Sequence, residues 1–218
     1  MFRSALVTGG ASGIGAAAVA LLEAEGCDVT SLDLATGFDV ADSAAWEGVG
    51  AVDFAFLNAG VATGSNDVAE LGDAEYRRAV GANVDGVVFG ARRMARVMEP
   101  GSAIVATASL AGLVAMPLDP VYTLTKHAVV GFVRAVAPQL AERGITINAL
   151  CPGFADTPIV EPELRDWVDG QRIPLISPET VAAAALAAAR SGETGEAWVV
   201  QPGREPVVYG FRGVPGPR

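Results

Sequence analysis

The 218-residue chain is 51% hydrophobic, which allows a packed core and excludes a disordered polymer. Its 25 acidic side chains outnumber 15 Lys and Arg, for a net charge of −10 that argues against nucleic acid or an anionic membrane as partner. The two cysteines, Cys27 and Cys151, have no metal-ligand spacing, make no disulfide framework and read as small buried apolar residues, so no metal is expected.

In chain order, Met1-Phe2-Arg3 leads straight into a strand at residues 5–8, which leaves no space for a signal peptide. No apolar run reaches transmembrane length free of Gly, Pro or charge, so the expected location is cytoplasmic. An Ala/Leu-rich helix over 14–24 stops at Gly26, and strands follow at 28–32, 52–57, 103–107, 146–150 and 197–201. Helices are predicted over 73–99, 121–143 and 178–191, and residues 203–218 read as an irregular Pro/Gly-rich tail. Strands alternating with helices define an α/β fold. We expect a doubly wound, Rossmann-type, mostly parallel sheet of about seven strands with helices on both faces, in a single domain.

The first strand runs into Thr8-Gly9-Gly10-Ala11-Ser12-Gly13-Ile14-Gly15. Glycines between a strand and a helix let backbone approach a pyrophosphate, and the helix N-terminus offers free N–H groups and partial positive charge. Asp33 ends the second strand twenty residues after Gly13. A carboxylate there accepts from ribose hydroxyls and repels a 2′-phosphate, and no Lys or Arg lies in the turn or just after Asp33, so NAD is the expected cofactor.

Tyr122 and Lys126 stand at i and i+4, behind an Asp119-Pro120 helix start. An ammonium on the same face favours the phenolate and makes the tyrosine a usable acid/base. Ser109 closes the strand at 103–107, where a doubly wound sheet binds its ligand.

These stretches, with Asp39-Val40, Asn58-Ala59-Gly60, Asn83 and Pro152-Gly153 through Thr157, occur in the order and spacing of the short-chain dehydrogenase/reductase superfamily, and the chain resembles its short, single-domain branch over residues 5–201. The resemblance implies that Tyr122 is the general acid/base, that Lys126 lowers its pKa and holds the nicotinamide ribose, and that Ser109 orients the substrate oxygen. It implies that Asn83 supports a water-mediated proton path. It further implies that Gly9, Ser12, Gly13, Ile14 and Gly15 take the pyrophosphate, and that Asp39-Val40 contact adenine. Asn58, Ala59 and Gly60 would line the adenosine side, while Pro152, Gly153, Phe154 and Thr157 hold the nicotinamide amide. The implied activity is NAD-dependent interconversion of a secondary alcohol and a ketone, by a homodimer or homotetramer paired through the helices at 73–99 and 121–143.

The sequence departs from the family in two places. Only five residues separate Asp33 from Asp39, where the family places a helix, so the sheet should be less covered there and the adenine pocket more open. The substrate lid, residues 154–178, is short. Leu110, Val114, Met116, Leu118, Phe154, Ile159, Val160 and Trp167 are candidate lining residues, and they favour an apolar substrate. His127 and the Arg92-Arg93-Arg96 cluster read as structural or solvated, and Trp46 and Trp198 as core or interface aromatics. A non-catalytic NAD(H)-binding sensor or scaffold is the alternative, disfavoured by the intact Ser109, Tyr122 and Lys126 set. A sugar-nucleotide epimerase would need more chain after Thr157.

Overall fold

A computed structural model describes residues 1–213. Its elements are β1 (Ser4–Thr8), α1 (Gly13–Ala24), β2 (Asp28–Leu32), β3 (Phe54–Leu57), α2 (Asp73–Val80), α3 (Gly86–Val97) and β4 (Ala103–Thr107). There follow α4 (Pro120–Ala141), β5 (Thr146–Pro152), α5 (Pro162–Gly170), α6 (Pro178–Arg190), β6 (Ala197–Val200) and β7 (Val207–Val208). The strands form one seven-stranded sheet in the order β2-β1-β3-β4-β5-β6-β7, parallel except for the β6–β7 pair.

Strand alternation divides the core in two. Leu6, Leu57, Ile104 and Ile147 face Val87 and Met94 of α3 and Val129 and Val133 of α4. Val7, Phe54, Phe56 and Val105 face Ala18 and Leu22 of α1 and the alanine-rich side of α6. Helices therefore cover both faces, and β1, β3, β4 and β5 carry the continuous apolar runs that a doubly covered parallel strand requires.

Three expectations need correction. The helix expected over 73–99 is divided, because residues Gly81–Asp85 form a π-helical turn between α2 and α3. The segment 154–178, expected as a short lid without a helix, contains α5, which is only nine residues long; Pro162 at its start and Leu164, Trp167 and Val168 on one face are its signals in the sequence. The tail is not irregular throughout, since Val207–Val208 adds an antiparallel edge to β6 and Tyr209 N–H reaches the Ala197 carbonyl at 2.8 Å. Two residues are too few to show a strand period. The end of that tail, residues 214–218, lies outside the described residues.

Between Asp33 and Asp39 the chain makes only a 3-10 turn at Leu34–Thr36, with the Asp33 side chain accepting from Ala35 N–H. β2 is thus an edge strand, exposed or half-buried along its length. Beside it lies an open cavity of about 430 Å³ lined by Leu6, Leu32, Phe38, Val49 and Val52. Behind Phe38 lies Trp46. The indole is 1% exposed, stands edge-on to Phe38 with centroids 5.2 Å apart, and donates Nε1–H to the Val40 carbonyl at 3.0 Å. Trp198 is half-buried, and its Nε1–H has no protein partner among the described residues.

Trp46→Ala removes a fully buried indole from the core against α3. It should destabilise the protein by about 3–5 kcal/mol, measured as a lower midpoint in urea with an unchanged slope.

Candidate active site

The chain crosses from β2 on one side of β1 to β3 on the other, so the strand order reverses between β1 and β3. Doubly wound sheets bind ligands at such a switch point, outside the carboxyl ends of the strands. All the candidate residues at strand ends fall on this edge: Gly9 after β1, Asn58 after β3, Ser109 after β4, and Pro152 and Gly153 at the end of β5.

Hydrogen bonds lace the edge together. Thr8, the last residue of β1, accepts at its hydroxyl from Asn58 N–H at 2.9 Å and Ala59 N–H at 3.0 Å. Asn58 Nδ2 donates to the Thr8 carbonyl at 3.3 Å, and its Oδ1 accepts from the Thr107 hydroxyl at 3.0 Å. Thr107 in turn offers its carbonyl to Lys126 Nζ at 2.8 Å. Asn58 thus ties the ends of β1 and β4 together. Thr8 and Thr107 were missed; a threonine as the last residue of a strand is the signal for each.

The glycine turn is a compact cradle. A Cβ on Gly15 would collide with the Gly9 carbonyl, so helix and turn close only on a hydrogen atom. Ser12 precedes α1 without capping it, and the first turn holds no acidic residue, so the opening N–H groups of a twelve-residue helix have no side-chain cap. Thr157 is buried with its methyl over Gly13, which brings the loop after β5 against the turn. Asp33 reaches back to accept from Ala11 N–H at 3.0 Å. Phe38 N–H bonds the Asp33 carbonyl and keeps Asp39 beside the end of β2. The Val40 side chain is not brought to this edge: it is 8% exposed and packs against Gly86 of α3.

Tyr122 and Lys126 project from the first turns of α4, started by Asp119 and Pro120. Asp119 Oδ1 accepts from Tyr122 N–H at 2.8 Å. Ser109 Oγ accepts from Ala111 N–H at 3.1 Å and lies 3.5 Å from the Pro152 carbonyl. Asn83 is fully buried in the π-helical turn and donates to Thr125 Oγ1 at 3.0 Å.

The electrostatics differ from the i, i+4 expectation. Lys126 is 2% exposed, and its ammonium turns to the Thr107 carbonyl, 5.4 Å from the Tyr122 ring centre. Burial pushes the Tyr122 phenol up to about 12; the nearby Asp119 charge raises it too, while a hydrogen bond with Ser109 lowers it. Burial pulls Lys126 down to about 8, with nearby Cys151 acting in the opposite sense. Desolvation is the largest influence on both groups.

The lining residues split. Phe154 and Trp167 pair at 6.2 Å, with Trp167 39% exposed, and Val114 is exposed. Leu110, Met116, Leu118 and Ile159 are half-buried, whereas Val160 is buried inside the lid. His127 is exposed and bonds the Thr123 carbonyl of its own helix. Arg93 fastens the Val49 carbonyl at 2.7 Å, and Arg92 and Arg96 edge a groove between α3 and α4. No helix among the described residues is long and apolar enough to cross a membrane.

Residues 38–204 match the family model described as enoyl-(acyl carrier protein) reductase. The chain is 37% identical over 160 residues to a 3beta-hydroxysteroid dehydrogenase of Mediterraneibacter gnavus; the match takes in 70% of this chain and 57% of that protein. It is 34% identical over 187 residues to a 2,5-dichloro-2,5-cyclohexadiene-1,4-diol dehydrogenase of Sphingobium indicum, covering 73% and 75%. The crystal structure of a short-chain dehydrogenase/reductase, glucose/ribitol dehydrogenase, from Brucella melitensis superposes with a TM-score of 0.81 at 27% identity, over 92% of this chain and 96% of that one. A Burkholderia cenocepacia short-chain dehydrogenase in complex with NADP gives 0.78 at 26% identity, over 91% and 96%. The chain belongs to the short-chain dehydrogenase/reductase family, whose members are oxidoreductases that use a nicotinamide cofactor.

The buried ammonium makes a stability prediction. The folded Lys126 pKa, about 8, lies below the ordinary 10.5, so between these values the unfolded chain binds more protons and this lysine's share of stability rises with pH. Lys126→Met should therefore stabilise the ligand-free protein by about 1 kcal/mol below pH 8. The gain should shrink towards pH 10.5, followed by denaturant melts across that range.

Proposed function

We propose that this protein is an NAD-dependent dehydrogenase that interconverts a secondary alcohol on an apolar ring and the matching ketone, with Tyr122 as general acid/base. The observation that carries the reading is the gathering of Ser109, Tyr122 and Lys126 on the edge that also holds the uncapped glycine turn. A dinucleotide-binding sensor needs the turn but has no use for a tyrosine and a buried lysine beside it.

Two features of the chain suit a dinucleotide. The cradle at Gly9 and Gly15 has no space for side chains, and the opening N–H groups of α1 suit an anion. When bound, a nicotinamide cofactor supplies the ring that accepts or gives the hydride. In oxidation Ser109 donates its hydroxyl hydrogen to the substrate oxygen, and the Tyr122 phenolate takes the proton from that oxygen as hydride leaves the carbon that bears it. Lys126 supplies positive charge beside the phenolate and binds the ribose. Asn83 anchors the water path that returns the proton to solvent. Pro152, Gly153, Phe154 and Thr157 hold the carboxamide end, while Asn58, Ala59, Gly60, Asp39 and the Val40 backbone line the adenosine side. Asp33 uses two acceptor positions on Ala11 and Ala35 and keeps lone pairs free for ribose hydroxyls. Its charge would repel the extra phosphate of NADP.

Apolar rim residues Val114, Phe154 and Trp167, and two relatives named for hydroxyl groups on carbon rings, support a ring alcohol. A homodimer or homotetramer in the cytoplasm completes the proposal, paired through the α3–α4 groove that Arg92, Phe132 and Val136 line.

NADH formation with cyclohexanol, a 3β-hydroxysteroid and linear 2-alkanols tests the reading. Tyr122→Phe should lower kcat by about 10²–10⁴-fold. Retained wild-type turnover would sink the assignment. Wild-type oxidation should rise with pH, because it needs the deprotonated phenol, and reduction should fall. NAD should be preferred over NADP, and Asp33→Ala should narrow the ratio of their kcat/KM values; a wild-type preference for NADP would overturn the cofactor reading.

A further inference from the structure

The loop after β3 is gripped residue by residue. It leaves β3 through Gly60, where an added Cβ would lie 3.0 Å from Asn83 Oδ1 and 3.4 Å from Lys126 Nζ. Asn83 then binds both backbone groups of Val61, accepting from its N–H at 2.8 Å and donating to its carbonyl at 2.9 Å. Arg78 of α2 donates to the Ala62 carbonyl at 3.1 Å. Asp119 takes the next two residues: Oδ2 accepts from Thr63 N–H at 2.7 Å and Gly64 N–H at 3.3 Å, and Oδ1 accepts from the Thr63 hydroxyl at 2.7 Å.

Capping α4 needs one oxygen, the Oδ1 that accepts from Tyr122 N–H. Oδ2 serves only the loop. Asp119 is 7% exposed and has no ion-pair partner among the described residues, and Thr63 is 9% exposed. A carboxylate is tolerated at such a site when donors fill its lone pairs, and here four donors do. Three come from the loop and one from the backbone of Tyr122 itself.

We propose that Asp119 is a positioning residue for Tyr122, locking the 61–64 loop to the first turn of α4 so that the phenol keeps one place relative to Lys126 and Asn83. The inference rests on the reading of Tyr122 as the acid/base. The carboxylate also acts on the phenol through space. Lys126 from α4, Ser109 from the end of β4 and Asp119 face the phenol, Cys151 of β5 stands behind Lys126 and Ser109, and Arg78 and Glu161 flank the loop. The Asp119 charge raises the phenol. Removing that charge lowers the tyrosine's pKa, so the pH limb set by Tyr122 moves to lower pH.

Asp119→Asn is the direct test. The amide keeps an oxygen for the Tyr122 N–H but turns an NH₂ towards the N–H groups of Thr63 and Gly64. Thr63→Val removes one donor, leaves the carboxylate in place, and stands in should the first variant fail to fold. Three readouts decide: amide exchange at Thr63 and Gly64, titration of ¹³C-labelled tyrosine assigned through Tyr122→Phe, and kcat and KM with the best alcohol of the panel above. The expected result for Asp119→Asn is exchange faster by on the order of 10- to 100-fold, with unchanged far-ultraviolet circular dichroism. Tyr122 should titrate at lower pH, and kcat should fall on the order of 10- to 100-fold with KM for NAD little changed. Thr63→Val should show the faster exchange at smaller size. Wild-type exchange at both amides, or a wild-type tyrosine titration in Asp119→Asn, would overturn the proposal whatever the turnover. Turnover that survives Tyr122→Phe would instead remove the acid/base reading, and the exchange and titration arms would still report whether Asp119 joins the loop to the tyrosine.

Discussion

An ammonium group sealed inside a protein is costly to place, and the architecture of this site is arranged around one. Lys126 is 2% exposed, and its Nζ rests on the Thr107 carbonyl at 2.8 Å. Burial already pulls its pKa down to about 8, so the charge is held against the preference of its surroundings. Thr107 can take this load because its own side chain is tied to Asn58, and Asn58 to Thr8. Three neighbouring strands thereby share one hydrogen-bonded edge, and the lysine sits where their carboxyl ends converge. A polar ligand bringing hydroxyls to that edge would satisfy the remaining ammonium hydrogens.

The sheet is asymmetric about that edge. β3, β4 and β5 are buried on both faces and carry the apolar runs expected of internal parallel strands. β2 has no strand beyond it and carries only exposed and half-buried positions. The 3-10 turn at Leu34–Thr36 turns the chain back at once, and Trp46 covers part of the face that a longer excursion would cover. The abbreviation leaves the switch point between β1 and β3 intact, because the switch depends on the crossing from β2 to β3 and not on what lies outside β2.

Much of this was legible in the chain. The short strands before Gly9 and Asn58 and at Ser109 announced the carboxyl edge of the sheet, and the Gly13–Asp33 interval announced the second strand end. Glycine patterns, caps and i, i+4 pairs are local, and local signals survive in sequence. Three things were not legible. The two-residue β7 has no period of its own and exists only because β6 offers it an edge. The direction of the Lys126 ammonium is set by the Thr107 carbonyl, nineteen residues away, which the spacing to Tyr122 cannot reveal. Asp119 reads as an ordinary helix cap, and only the fold brings Thr63, fifty-six residues earlier, onto its second oxygen.

The π-helical turn at Gly81–Asp85 belongs to the same logic. A helix running uninterrupted from α2 into α3 would satisfy its backbone more regularly, and wider turns of this kind are uncommon and concentrate at functional sites. Here the irregular turn holds Asn83, whose amide spans from Val61 on one side to Thr125 of α4 on the other. Gly86, at the exit of the turn, has no side chain because Val40 lies where a Cβ would stand. Val40 is fixed there in turn by the indole of Trp46 on its carbonyl. The segment after the shortened β2 region thus packs against the helix break that aims Asn83, so the part of the fold that departs most from a longer sheet also buttresses the turn that joins the 61–64 loop to α4.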